Sequence, residues 1–288
     1  MIEKVEIIEL AMRDGLQNLL KFIPTDLKIQ FAQMLIDAGC SHMEIAACVS
    51  PKRVEQMKDA VEVCRSFAHN GNVITCCLIP NLKGLELALE GKTKEIVTVM
   101  SASEVHNMAN VNRTIKQSLS EISEIAKCGK EAGIRIRASI GTAFGYLGEI
   151  VTTDKVVSLA RKLKDLGFMS ITICDTTGIA NPKQVYETCR AVGEAITPIP
   201  LGIHLHQAHG IEYANMWAAF DAGVRIFEAA AGGLGGCPFA EGAEGNINTE
   251  VIVNMFHRMN IKTGIDLDRI NACAEFAKRI QREYAVCC

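Results

Sequence analysis

Short apolar runs rich in β-branched residues alternate along this chain with longer amphipathic stretches whose apolar positions recur at helical spacing. Each predicted strand is followed by a segment long enough for a helix, and the short loops between them favour parallel strands. The predicted strands cover approximately residues 4–10, 42–48, 73–79, 95–101, 134–140, 170–175, 200–206 and 225–230.

The helices between these strands are bounded by typical capping residues. Thr25, Asp154 and Asn181 are the expected N-caps, because their side-chain oxygens can accept hydrogen bonds from the first turn. Glycines stand where helices should end, at positions 39, 133, 167 and 223. The predicted helices include residues 25–38, 51–67, 114–132, 154–166 and 182–195.

Eight β-then-α units favour a closed (β/α)₈ TIM barrel, an α/β fold, over the alternative of an open α/β sheet. A chain of 288 residues is compatible with a single barrel domain spanning 1–288. An additional C-terminal helix, about 266–284, lies outside the eight units. We expect it to cover the barrel bottom or to meet another subunit.

Composition and charge exclude several classes of function. Hydrophobic residues make up 49% of the chain and the net charge is -3, without a long basic block, so neither a nucleic acid nor a membrane is an expected partner. No apolar run approaches the roughly 18 residues of a membrane span, and no signal peptide precedes the first strand. The twelve cysteines are scattered and lack metal-knuckle spacing, which is typical of reduced thiols. We therefore expect a cytoplasmic protein that acts on a small molecule.

In a TIM barrel, chemistry is expected at the carboxyl ends of the strands. His204 and His206 are two residues apart on a strand, so both imidazoles project from one face and can bind one metal. With a carboxylate from Asp14 the ligand set is mixed nitrogen and oxygen, which suits Mg²⁺ or Mn²⁺. The alternative is that the two histidines are satisfied polar residues without a metal.

Three further charged residues fall at the same face. Arg13 and Asp14 follow the first strand directly, either as active-site groups or as an ion pair that closes a βα turn. Glu44 lies among apolar residues and requires a cationic partner, for which Arg13 is the obvious candidate. Asp175 could cap a helix entry or accept a hydrogen bond from a metal-bound histidine.

A glycine-rich segment over residues 232–246 contains six glycines and is able to fold closely over a ligand, as a lid does. Cys237 lies at its centre, where a thiol can act as an acid or a nucleophile if nearby charge tunes its pKa. Asn246 ends the segment with an amide oxygen that can complete a metal shell. The glycine spacing does not match a dinucleotide fingerprint.

Taken together, these motifs resemble the 3-hydroxy-3-methylglutaryl-CoA lyases, a family of the metal-dependent lyase and condensing-enzyme superfamily. The resemblance covers nearly the whole chain, and it is carried by the segments 13–18, 49–52, 175–178, 204–206, 233–238 and 245–246. It implies that a divalent cation is bound by Asp14, His204, His206 and Asn246. It also implies that Arg13 contacts the thioester end and that Cys237 is catalytic.

The same resemblance places Glu44 and Asp175 at active-site positions and Gln17 and Gly236, which lie within the motifs, at substrate-binding positions. The implied reaction is a retro-Claisen cleavage of 3-hydroxy-3-methylglutaryl-CoA, or of a close homologue, to acetyl-CoA and a 3-oxo acid. His204 and Asp175 are alternatives for the base. A homodimer or larger homo-oligomer is also expected.

Two other classes of function are weighed against the lyase. One is a condensing acyltransferase of the isopropylmalate-synthase-like type, against which the Gly-Cys-Pro sequence at 236–238 argues. The other is a non-catalytic descendant that binds acyl-CoA. Retention of the proposed metal ligands together with Cys237 argues against it.

The chain departs from the family pattern at residues 19–20, 145–149 and 207–210, which puts the identity of the substrate in question more than the reaction. Leu19 and Leu20 replace charged residues after the first motif. If they face the barrel mouth, they create room for a bulkier substituent at C3 of the substrate. Alternatively, they pack into the barrel wall and leave specificity unchanged.

Overall fold

The computed structural model describes residues 3–235 and 244–285. Its centre is a closed barrel of eight parallel strands in which each strand pairs with the next along the chain, and β1 pairs with β8. The strands are β1 Glu6–Glu9, β2 His42–Ala47, β3 Ile74–Leu78, β4 Glu95–Ser101, β5 Arg135–Gly141, β6 Ser170–Asp175, β7 Leu201–Gln207 and β8 Ile226–Ala229. The predicted TIM barrel is confirmed, and the pairing of β1 with β8 rules out the open sheet.

Helices surround the barrel and connect its strands. They are α1 Thr25–Asp37, α2 Ala60–Ser66, α3 Leu82–Glu90, α4 Glu104–Val111, α5 Ile115–Glu131, α6 Thr153–Asp165, α7 Pro182–Ile196, α8 Ile211–Asp221, α9 Thr249–Arg258 and α10 Leu267–Tyr284. A short ninth strand, β9 Glu244–Asn246, pairs antiparallel with β7 and brings residue 246 opposite residue 206. Within the described residues, no helix is both long enough and apolar enough to cross a membrane.

The additional C-terminal helix is confirmed as α10, which begins after an Asp266 N-cap that accepts a hydrogen bond from the Arg269 amide. It packs on α1, where the rings of Phe31 and Phe276 stack with centroids 5.5 Å apart. It also packs against the 3-10 turn Ala231–Gly233 that follows β8. α10 therefore supports the glycine-rich segment from outside the barrel.

Two of the expected N-caps were wrong by one or two residues. Pro24 precedes α1, so that Thr25 is already helical, and Thr152 rather than Asp154 caps α6 by accepting a hydrogen bond from the Lys155 amide. Asn181 caps α7 as predicted. The helix-ending glycines at positions 39, 133, 167 and 223 all have positive φ angles, which is the conformation that favours glycine.

The predicted helix over 51–67 was also wrong in its first half. Residues 51–59 form turns and the 3-10 helix Glu55–Met57, and α2 begins only at Ala60. The cause is a tertiary contact, because Asp59 accepts hydrogen bonds from Lys28 (2.7 Å) and Thr25 (2.9 Å) on α1. Asp59 is thereby fixed at the start of α2 instead of within a longer helix.

Candidate active site

Asp14 and Arg13 lie on a π-helical turn, Ala11–Gly15, that directly follows β1. The amides of Asp14 and Gly15 both donate to the Leu10 carbonyl, at 2.9 and 3.2 Å, and this tight turn holds both charged side chains at the barrel mouth. Gly15 is required by packing, since a Cβ atom there would lie 2.8 Å from the Cβ of Leu234. The turn therefore also contacts the start of the glycine-rich segment.

Arg13 is the partner of Glu44, as the sequence predicts. Its Nε and Nη2 atoms lie 2.7 and 2.6 Å from Glu44 Oε2, and its Nη1 contacts Asp14. Burial alone would lower the pKa of Arg13, but the two carboxylates raise it above its ordinary value. A buried guanidinium held in this way is a fixed positive charge at the base of the mouth.

His204 and His206 project from β7 into the mouth, and their Nε2 atoms lie 3.2 Å apart. Each Nδ1 atom has an acceptor, because His206 Nδ1 is 2.7 Å from the Thr176 carbonyl and His204 Nδ1 is 3.3 Å from Glu228 Oε2. With the ring protons on Nδ1, both Nε2 atoms present lone pairs to one another. Two nitrogens at this distance face each other favourably only when a proton or a cation lies between them.

Asp14 completes this cluster. A carboxylate oxygen of Asp14 and one nitrogen from each imidazole lie within 4.8 Å of one another, and they form the one such group found among the described residues. Asn246 lies beside them, with its Nδ2 atom 2.7 Å from Asp14 Oδ2. Its Oδ1 atom is buried and has no hydrogen-bond partner within the described chain. An orphaned amide oxygen beside two imidazoles and a carboxylate fits a divalent cation.

The protonation states of Asp14 and His206 suit a cation. Burial would lower the pKa of His204, but Glu228 and Asp14 raise it above its ordinary value, so a cation bound there would compete with a proton on this ring. Burial would raise the pKa of Asp14, but Arg13 and the two histidines hold it below its ordinary value, so the carboxylate is charged. Burial and the neighbouring His204 lower the pKa of His206 to about 4, so its imidazole is neutral at pH 7. A charged carboxylate and a neutral imidazole are the ligand forms of these side chains.

Glu228 and Arg137 extend the site into the barrel interior and were not identified from the sequence. Arg137 Nη1 lies 3.0 Å from Glu228 Oε1, and its Nη2 lies 3.1 Å from Glu44 Oε1. Arg137 therefore bridges Glu228, which accepts from His204, and Glu44, which pairs with Arg13. Burial would raise the pKa of Glu228, but His204 and Arg137 lower it to about 2. The available signals were Glu228, the one charged residue of β8, and the second arginine of β5, Arg137.

Asp175 faces its own loop. Its two oxygens accept hydrogen bonds from the backbone amides of Ile179 and Ala180, each at 3.1 Å, which corresponds to the capping alternative. Burial raises its pKa to about 6, although these hydrogen bonds act to lower it. The acceptors that orient the two histidines are Glu228 and the Thr176 carbonyl, and not Asp175.

A cavity of about 570 Å³ lies at the barrel mouth, and the charged and imidazole groups that line it include Arg13, Asp14, Glu44, His204, His206 and Glu228. Gln17 lines it and donates to Asp14 at 2.9 Å, while Gly236 and Cys237 lie outside the described residues. Leu19 and Leu20 are not among the described residues that line this cavity. Leu19 packs against the core and Leu20 is 63% exposed, so the structure supports the alternative in which they leave the pocket unchanged.

Comparisons with known proteins bear on this site. A family model described as HMGL-like matches residues 4–277. The chain is 37% identical to a hydroxymethylglutaryl-CoA lyase of Bacillus subtilis, over 95% of this chain and 92% of that protein. It is 35% identical to the (R)-citramalyl-CoA lyase of Chloroflexus aurantiacus, over 96% and 90%. It also superposes on the HMG-CoA lyase of Acinetobacter baumannii, solved with coenzyme A and 3-methylmalate, with a TM-score of 0.90, 38% identity and coverage of 96% and 92%.

Proposed function

Because the chain belongs to the HMGL-like family, we propose that it is a carbon–carbon lyase that cleaves 3-hydroxy-3-methylglutaryl-CoA or a close 3-hydroxyacyl-CoA homologue. The products are acetyl-CoA and a 3-oxo acid, which is acetoacetate for the simplest substrate. The family resemblance identified from the motifs is confirmed by the family match and by the relatives. The observation that carries the proposal is that Arg13 and the Asp14, His204 and His206 cluster share one cavity.

Asp14, His204, His206 and Asn246 are the residues that would hold a divalent cation, for which we propose Mg²⁺ or Mn²⁺. Bound there, the cation supplies Lewis acidity that lowers the pKa of the substrate's C3 hydroxyl. Gln17 and Arg13 fix the ligand carboxylate of Asp14 through their contacts with its Oδ1 atom. Glu228 and the Thr176 carbonyl fix the two imidazoles.

Cleavage moves the electrons of the C2–C3 bond onto the thioester, as an acetyl-CoA enolate, while C3 becomes a carbonyl. Arg13 supplies the positive charge that stabilises the enolate oxygen, because Glu44 and Asp14 hold its guanidinium in place before the reaction. The enolate carbon then takes a proton from Cys237 or from water.

The C3 hydroxyl must lose its proton to a base. His204 and Asp175 are the two candidates that the sequence offers for this role. His204 Nδ1 is occupied by Glu228, so its Nε2 atom can bind a cation or accept a proton but cannot do both at once. We assign that atom to the cation, because the Nε2 atom of His206 lies 3.2 Å away. Asp175 is the other candidate, but both of its oxygens accept hydrogen bonds from its own loop and it is not among the residues that line the cavity. The pH dependence of kcat in Asp175→Asn, compared with the wild type, tests whether this carboxylate takes the proton.

Release of acetyl-CoA from a panel of 3-hydroxyacyl-CoA thioesters tests the proposal, with 3-hydroxy-3-methylglutaryl-CoA and citramalyl-CoA as its first members. We expect acetyl-CoA from at least one member, with the oxo acid formed in equal amount, which is acetoacetate from 3-hydroxy-3-methylglutaryl-CoA and pyruvate from citramalyl-CoA. The matched control is the Arg13→Met variant, which keeps the side-chain length and removes the charge. If the wild-type enzyme releases no acetyl-CoA from any member, the lyase function is wrong. We also propose a cytoplasmic location and a homodimer or larger homo-oligomer.

A further inference from the structure

A histidine outside the metal cluster also lines the cavity. His106 lies on α4, one helical turn before Asn110, and both side chains are part of the cavity wall. The residue is 2% exposed, and its amide is fixed by the Ser103 N-cap at 3.0 Å. The ring of Tyr146 packs edge-on against its imidazole, with centroids 4.8 Å apart. His106 is therefore a rigid polar group in the wall of the cavity.

One nitrogen of this ring is satisfied and the other is not. His106 Nδ1 lies 2.5 Å from Ser101 Oγ, whereas His106 Nε2 is buried and has no hydrogen-bond partner within the described residues. A buried polar atom without a partner is destabilising and is rare in native proteins. In the wall of a binding cavity, the natural partner for such an atom is the ligand.

The Ser101 contact determines which kind of ligand atom fits. If Nδ1 carried the proton, the Ser101 hydroxyl hydrogen would need a second acceptor, and the described contacts provide none. The hydroxyl therefore donates to Nδ1, which leaves the ring proton on Nε2. Burial lowers the pKa of His106, so the ring is neutral at pH 7. A neutral N–H donor fits an oxygen acceptor.

Small residues on β5 line the same cavity as His106, namely Ser139 and Gly141. A ligand in this cavity therefore shares one space with the unpartnered ring nitrogen. We propose that His106 is a specificity-determining residue that donates its Nε2 hydrogen to an oxygen of the bound acyl group. This inference rests on the proposed function, because it takes the ligand to be an acyl-CoA.

Two His106 variants test the donor. His106→Phe keeps the ring and removes the hydrogen bond, and His106→Gln keeps a side-chain N–H. We expect His106→Phe to lower kcat/KM by about 10-fold for substrates that supply the oxygen, and His106→Gln to restore part of the loss. His257→Phe is the matched control, because His257 lies on α9 and contacts Thr263 at 3.0 Å. Thermal unfolding of each variant verifies that it is folded.

The substrate panel distinguishes the sources of the oxygen. A loss with 3-hydroxy-3-methylglutaryl-CoA itself indicates its carboxylate or its thioester carbonyl. A loss confined to homologues with a hydroxylated C3 substituent indicates an additional oxygen on the physiological substrate. Binding of a non-cleavable thioether analogue, which lacks the thioester carbonyl, separates the first two sources. Weaker binding to His106→Phe than to the wild type indicates the carboxylate, and equal binding indicates the carbonyl.

A second measurement is independent of turnover. Nitrogen-15 NMR of the imidazoles reports which ring nitrogen carries the proton, and His106→Phe assigns the signal. We expect an Nε2–H ring in the wild type and loss of that preference in Ser101→Ala, with recovery in Ser101→Thr. An Nδ1–H ring in the wild type would overturn the inference. If His106→Phe has unchanged kinetics with every substrate that the wild type cleaves, the inference about His106 is wrong and the proposed lyase function stands. If the wild type is inactive with the whole panel, the proposed function is wrong as well.

Discussion

Three side chains converge on the carboxylate of Asp14. Arg13 and Gln17 contact its Oδ1 atom, and Asn246 donates to its Oδ2 atom at 2.7 Å. These contacts fix the rotamer of a residue that we propose as a cation ligand, so little side-chain entropy would be lost on binding. The same amide of Asn246 also contacts the Leu234 carbonyl at 2.7 Å, which orients its unpartnered oxygen.

The ligand assignment predicts a loss of metal affinity without a loss of fold. Asp14→Asn keeps the size of the side chain and removes its charge, and His206→Ala removes one nitrogen from the cluster. We expect each change to weaken Mn²⁺ binding, measured by isothermal titration calorimetry, by at least about 10-fold. His257→Ala serves as the control. Wild-type affinity in both variants would remove these residues from the ligand set.

At this scale the sequence predicted the pairing of Arg13 with Glu44 and the cluster of Asp14 with the two histidines, and it missed the contacts between buried charges inside the barrel. The Arg13 and Glu44 pair follows from the need of a buried carboxylate for a cation. Arg137 and Glu228 lie 91 residues apart, and only the closed barrel brings them to 3.0 Å. His106 gave no signal in the sequence, because its role depends on the cavity wall that α4 forms.

Among the elements, β1 ends in a buried carboxylate, Glu9. This side chain hydrogen-bonds to the two segments that flank the glycine-rich sequence. Glu9 accepts hydrogen bonds from the amides of Ala11 at 2.8 Å and Ala231 at 3.0 Å, and from the Thr249 hydroxyl at 2.7 Å. Complete burial raises its pKa to about 7, and these donors offset only part of that effect. The junction of β1, the Ala231–Gly233 turn and α9 is therefore sensitive to pH.

The sign of this sensitivity follows from the raised pKa. The folded state holds the Glu9 proton more tightly than the unfolded state, so the stabilisation is present below pH 4.5 and is lost as the pH rises through about 7. Relative to Glu9→Gln, the free energy of unfolding of the wild type should fall by about 2–3 kcal/mol between pH 5 and pH 8. Urea denaturation at both pH values measures it, with the exposed Glu124→Gln as control. Parallel pH dependence of wild type and Glu9→Gln would contradict the assignment.

The described residues at the two ends of the glycine-rich segment, Gly235 and Asn246, both lie beside the carboxylate of Asp14. Gly235 has a φ angle of 113°, and a Cβ atom there would lie 2.9 Å from Asp14 Oδ2, while Asn246 contacts the same carboxylate. From its position between these two residues, we predict that Cys237→Ser folds and binds Mn²⁺ like the wild type but loses most of its turnover. Acetyl-CoA release and calorimetry on the same preparation measure both properties. Cys128→Ser on α5 is the matched control, and full kcat in Cys237→Ser would exclude a chemical role.

Elements with a strong apolar period were predictable, and those set by tertiary contacts were not. α10 was placed to within a residue, because its apolar stripe and its Asp266 cap are both local features. The turns at 51–59 depend on Asp59 meeting α1, which no local pattern encodes. The π-helical turn Ala11–Gly15 is likewise fixed by packing against Leu234 from the other end of the chain.

For the whole molecule, the cation site joins the two ends of a closed barrel. Asp14 comes from the turn after β1, the histidines come from β7 and Asn246 from β9, so a bound cation links parts of the chain 232 residues apart. The pairing of β1 with β8 already closes the barrel beside this site. A ligand that binds only the folded state, and that holds the two ends together, must stabilise the entire fold.

The last prediction therefore concerns the thermal stability of the intact chain. Mn²⁺ at 100 times its dissociation constant stabilises the folded state by about 2.7 kcal/mol, which corresponds to a rise in Tm of roughly 5 °C over the chelated protein. Chelation should also abolish acetyl-CoA release, and added Mg²⁺ or Mn²⁺ should restore it. Asp14→Asn should show little of the rise in Tm, because the cation loses its charged ligand. An equal rise in Asp14→Asn and in the wild type would mean that the stabilising ion binds elsewhere, and no rise in either would exclude a cation that bridges the ends of the barrel.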